Sequence, residues 1–144
     1  MPIGSIPRQT GFVKPENRLA VAVGLDTFVV VLFVALGLRT HEQESAYAAV
    51  LETAAPFLVG LAVGWLVARA WKRPTSILTG LVIWPVTVLV GMLLRSALFD
   101  RGTATAFVVV ATVFLGGFLV GWRAIWRLVE LRRRQSSGGA LIAK

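Results

Sequence analysis

Four long apolar runs decide what this chain can fold into. They are Leu19–Leu38, Ala46–Ala68, Ser76–Leu94 and Ala104–Trp122, each 19 to 23 residues long. About 20 helical residues, rising about 1.5 Å each, cross a hydrocarbon core about 30 Å thick. With 144 residues, 56% apolar content and a mean hydropathy of +0.76, the chain has too little polar surface to hide these runs from water. In lipid no water satisfies the backbone, so the runs are expected as helices. The expected fold is all-α, a bundle of four transmembrane helices.

The separators are short. Arg39–Ser45, Arg69–Thr75 and Arg95–Thr103 connect successive runs, and connections of this length make neighbouring helices antiparallel. The chain then divides into a flexible tail over 1–18, a transmembrane domain over 19–126 and a basic tail over 127–144. The segment Arg123–Gln135 is expected to continue the fourth helix out of the membrane, and the final SSGGALIAK to be flexible.

Lys and Arg set the orientation. One side holds Arg8, Lys14, Arg18, Arg69, Lys72, Arg73, Arg123, Arg127, Arg132, Arg133, Arg134 and Lys144; the other holds Arg39, Arg95 and Arg101. Positive charge stays in the cytoplasm, so the first side and both termini are expected there. Trp65, Trp71, Trp122 and Trp126 gather at the same side, as an interfacial belt would. The net charge of +8 therefore reads as a topology signal and not as a nucleic-acid footprint. The Arg132–Arg134 cluster is a candidate contact for anionic lipid, alongside its plainer reading as a stop-transfer flank.

Two segments match. Phe57–Trp65 (FLVGLAVGW) and Phe114–Trp122 (FLGGFLVGW) share six of nine residues, and Gly24-Leu25 and Leu38-Arg39 align with Gly80-Leu81 and Leu94-Arg95. The reading is a duplicated hairpin with both copies inserted in the same sense. Each matched segment carries glycines four apart, Gly60–Gly64 and Gly117–Gly121, which let helix backbones approach closely. They are expected to pack helices together, either within the chain, with the second and fourth helices near the bundle centre, or against another subunit. A homo-oligomer or a partner membrane protein are both open.

Polar residues inside the spans are the candidate sites. Asp26 lies about 10 Å inside the first span. A carboxylate there costs about 2.5–3.5 kcal/mol and should face protein or water. Arg69, Arg123 or Arg18 have the reach to meet it. It reads either as a proton- or cation-binding carboxylate or as half of a structural ion pair. It aligns with Val82, so it departs from the repeat. At the other boundary Arg39, His41, Glu52 and Arg95 form a candidate outer polar cluster. Pro56 and Pro85 are candidate kinks, and Trp84 needs a partner for its indole N–H.

No cysteine is present and only one histidine, which excludes disulfides, thiolate metal sites and multi-histidine metal or haem sites within one chain. No cofactor is expected. No nucleophile–base pair, phosphate-cradling loop or paired carboxylate motif is visible, so the chain is not expected to be an enzyme. The expected function is a membrane module, either an accessory, assembly or lipid-organising subunit; the alternative is a small oligomeric ion- or proton-linked channel or transporter using Asp26.

PFLVGLAVGW (Pro56–Trp65), Arg73-Pro74, GMLLR (Gly91–Arg95) and GWR (Gly121–Arg123) together resemble the membrane family named domain of unknown function 3054. Asp26 and the RxH at Arg39–His41 are similar to its pattern as well. The resemblance spans Leu19–Arg123. It implies four apolar spans and a bacterial plasma membrane, and implies no activity.

The orientation is directly testable, because the chain supplies no background thiol. His41→Cys is expected to react with a membrane-impermeant maleimide on intact cells, and Ser137→Cys only after lysis. The reverse pattern would invert the topology.

Overall fold

The computed structural model describes residues 15–38, 46–99 and 105–139. Four long helices follow in order: α1 (Pro15–Leu38), α2 (Ala46–Ala68), α3 (Ile77–Phe99) and α4 (Thr105–Gly139). Each contains a stretch long and apolar enough to cross a membrane, namely Asn17–Gly37, Val50–Ala68, Ile77–Leu98 and Thr105–Gln135. The all-α, four-helix expectation therefore holds.

The boundaries differ from the apolar runs at the ends. α1 starts at Pro15, four residues before the first run, where a proline's fixed φ suits the first helical turn. α4 holds 35 residues, which is about 52 Å of helix. It outruns any bilayer core and takes in Ser136–Gly139, expected to be flexible. Once a helix exists, each added residue gains a hydrogen bond at little further entropy, so polar residues propagate it beyond the apolar run.

α2 and α3 are joined by a tight reversal. Arg69 adopts the left-handed conformation (φ 48°, ψ 49°), and a short 3₁₀ turn, Ala70–Lys72, follows. Its amide donates to the Leu66 carbonyl at 3.1 Å, and the Thr79 hydroxyl donates to the Arg73 carbonyl at 2.9 Å. The reversal sets α3 directly against α2.

The helices follow one another around the bundle, with α4 returning to α1, and the diagonal pairs barely touch. No helix is central. The expectation that α2 and α4 share the centre is thus corrected: they stand across from each other. The tightest seam is α2–α3. A methyl placed on Gly60 would lie 2.7 Å from the Thr87 carbonyl oxygen, and one on Gly64 would lie 3.1 Å from that of Ile83. Gly91 returns the favour by admitting the Phe57 ring. Gly117 and Gly121 on α4 differ: a methyl there meets nothing within 4 Å. Among the described residues they pack against no other helix. The matched segments therefore share sequence and not surroundings. Gly24 and Gly80 repeat that contrast, the first open, the second covered by the Arg123 side chain and the Leu119 carbonyl.

Away from the α2–α3 reversal, the core is aromatic. Phe33 of α1 contacts Phe57 of α2 and Phe107 and Phe114 of α4, with ring centroids 5.6–5.7 Å apart. The Trp84 indole donates to the Thr112 carbonyl at 2.9 Å, over Gly116, whose missing side chain gives the ring its place. That meets the need expected for Trp84.

Gly60→Ala drives a methyl into backbone that cannot move alone. It is expected to lower unfolding stability in detergent by about 1–3 kcal/mol, whereas Gly117→Ala, on an open face, is expected to leave it unchanged or raise it by up to about 1 kcal/mol. Equal losses would mean that the two strips do the same work.

A buried Asp26–Arg123 centre as the candidate functional site

Asp26 and Arg123 are both fully buried. Asp26 sits on α1 after two turns of apolar helix, and Arg123 on α4 next to the repeat tryptophan. Two parallel bonds join them: Arg123 Nη1 donates to Asp26 Oδ1 at 2.8 Å and Nη2 to Oδ2 at 2.6 Å. This fork matches the planar guanidinium to the planar carboxylate.

Two indoles complete the carboxylate. Trp65 Nε1 donates to Oδ2 and Trp122 Nε1 to Oδ1, each at 2.9 Å. Each oxygen thus accepts two N–H groups. The guanidinium is held from three further directions. Its Nε donates to the Pro74 carbonyl at 3.0 Å and Nη1 to the Leu119 carbonyl at 2.7 Å, and its carbon lies 4.4 Å from the Trp122 ring centroid. Gly80 makes room for the side chain, since a methyl there would lie 2.9 Å from Arg123 Cδ. All four helices or their connections therefore meet at one ion pair: α1 by Asp26, α2 by Trp65, the α2–α3 turn by Pro74, α3 by Gly80, and α4 by Trp122 and Arg123.

The other candidates fall elsewhere. Arg69 is exposed at the α2–α3 reversal and makes no hydrogen bond to Asp26. Arg18 turns to Glu130 of α4, at 3.0 Å. Glu52 is exposed on α2. Arg95 is half-buried at the far end of α3, its guanidinium 4.4 Å from the Phe107 ring centroid. Arg39 and His41 lie outside the described residues, so only half of the outer set is seen. Arg132, Arg133 and Arg134 are exposed on the last turns of α4. No group of three or more metal-ligating side chains occurs among the described residues.

Trp65 and Trp122 were not expected here. By position both suit an interfacial belt, and both turn inward. The sequence did carry a signal: each matched segment ends in Gly-Trp, and each of those tryptophans serves one oxygen of the same carboxylate. The residue after Trp122 is Arg123, where the other copy has Leu66. Asp26 stands where the other copy has Val82. These two charges, each opposite an apolar residue in the other copy, are each other's partners.

The architecture defines a multi-pass helical membrane protein organised around a buried ion pair. The chain belongs to the family of unknown function named domain of unknown function 3054, whose model matches residues 23–126 and so takes in Asp26, Trp65, Trp122 and Arg123. Neither a curated protein nor a solved structure matches the chain.

Removing one buried charge strands the other. Asp26→Leu and Arg123→Leu are each expected to cost about 3–5 kcal/mol of stability in detergent, and the double variant markedly less than their sum. Additive losses in an unfolding titration would mean that the two residues act separately.

Proposed function

We propose that this chain is a non-enzymatic membrane module, an accessory, assembly or lipid-organising subunit of a bacterial plasma membrane with both termini in the cytoplasm. The carrying observation is the state of Asp26. A carboxylate that binds and releases protons or cations needs a free lone pair and a path to water. Asp26 has four N–H donors on its two oxygens and no exposed surface. It works here as a lock between α1 and α4. Nothing in the described residues supplies a nucleophile with a base beside it. The twelve-to-three distribution of basic residues supports the orientation. The matched hairpins are read as a duplication whose halves have since packed differently.

The second reading, an ion- or proton-linked channel or transporter, rests on the same residue. Proteoliposomes separate the two. Under the module reading, wild-type chain gives no proton, sodium, potassium or chloride flux above empty vesicles, while Asp26→Asn lowers the unfolding midpoint. Flux from the wild type that Asp26→Asn abolishes in folded protein would replace the module with the channel.

A further inference from the structure

The end of the bundle that holds the α2–α3 turn carries a second feature, separate from the ion pair. A cavity of about 560 Å³ opens between the start of α1, this turn and the emerging part of α4. That is within the usual range of small-ligand sites, about 300–1,000 Å³. Its walls bring together Arg18, Lys72, Arg73, Arg127 and Arg134, with Glu130 as their acid. Glu130 is already taken by Arg18 at 3.0 Å. Among the described residues lining the cavity, Lys72, Arg73, Arg127 and Arg134 remain with no further carboxylate to balance them.

We infer that this cavity binds the phosphate of an anionic phospholipid head group. Several like charges converging on one concave site repel one another, and a bound anion relieves that repulsion. Arginine forks fit phosphate oxygens. α3 starts directly after Thr75 and Ser76, which line the cavity, and a helix start favours an anion. Lipid is favoured over a soluble phosphate by what else lines the wall. Trp71 and Trp126, residues suited to the head-group level, flank the cations, and Leu19 and Leu131 give an acyl chain an apolar exit. Basic pockets between membrane helices on the cytoplasmic side hold anionic head groups in this way. Of the Arg132–Arg134 cluster, only Arg134 takes part. The site therefore differs from the tail contact expected from sequence.

The inference deepens the lipid-organising form of the module and rests on it only for orientation. Lipid retention and ion flux are separate measurements, so either reading can fail alone. The test uses full-length protein in a neutral detergent, equilibrated with equal amounts of phosphatidylglycerol and phosphatidylcholine and read by native mass spectrometry. One phosphatidylglycerol is expected to be retained at least tenfold over phosphatidylcholine. Arg73→Gln with Arg127→Gln, both exposed side chains, should erase that preference without lowering the unfolding midpoint. Arg132→Gln with Arg133→Gln should leave it intact. Equal retention of the two lipids, or an unchanged preference in the Arg73/Arg127 variant, would overturn the site. Binding of inorganic phosphate with no preference between the lipids would overturn the lipid assignment.

Discussion

Asp26 and Arg123 share one position deep in an apolar bundle, and most of the architecture bears on keeping them together. Either charge alone would be expensive in that setting, about 2.5–3.5 kcal/mol at a helix centre even on permissive insertion scales. Together they form a neutral unit. Neutrality is not enough, because each lone pair and N–H still needs a partner. The two indoles and the Pro74 and Leu119 carbonyls provide them. This explains placements that otherwise look unrelated. Trp65 and Trp122 turn inward, Gly80 lacks a side chain where Arg123 passes, and the α2–α3 turn is tight enough to bring Pro74 over the guanidinium.

The same centre accounts for how the two matched segments diverge. A duplicated hairpin with identical packing would give equivalent surroundings to Gly24 and Gly80, and to the two glycine strips. It does not. Gly60 and Gly64 carry the α3 backbone, while Gly117 and Gly121 carry nothing among the described residues. What the copies do share is Gly-Trp, and both tryptophans converge on one carboxylate. Two of the positions on which they differ, Asp26 against Val82 and Arg123 against Leu66, make the contact. Asp26 and Arg123, with Val82 and Leu66 at the matched positions, give the two hairpins unlike surroundings.

Much of this was legible before any coordinates. Four runs of lipid-crossing length, with no water to serve the backbone, leave only helices, so the number and type of elements follow from length and hydropathy. Asp26 was conspicuous because a carboxylate inside a span must be paired, and Arg123 was among the three arginines within reach. Choosing between them needed tertiary information. Arg18, Arg69 and Arg123 all flank the same membrane face, and nothing local says that Arg18 meets Glu130 on α4 or that Arg69 is carried outward by the reversal. The tryptophans were misread for a related reason. A Trp near a span end fits an interfacial belt by position alone, and the direction of its indole depends on the neighbour across the seam. The glycine strips were indistinguishable by spacing, since spacing reports a smooth face and not what lies against it.

Two seams of this bundle are closed by different physics. Between helices in lipid there is little hydrophobic driving force, because acyl chains are as apolar as leucine, so association depends on close packing and on polar bonds. The α2–α3 seam uses the first device. Its glycines bring backbones to near contact, it is the most extensively packed pair, and it needs no charge. At the α1–α4 seam the backbones come least close of the four neighbouring pairs, and there the ion pair sits. It is also the seam with the longest intervening chain, since α1 and α4 are the first and last elements. Dispersion alone would hold such a contact weakly. A bidentate salt bridge, unscreened by salt and reinforced by two indoles, is short-ranged and directional, and so fixes register as well as proximity. The Arg18–Glu130 pair lies on the same seam, nearer the surface. The sealed ion pair thus stands on the seam where the backbones come least close, and long side chains span the gap there.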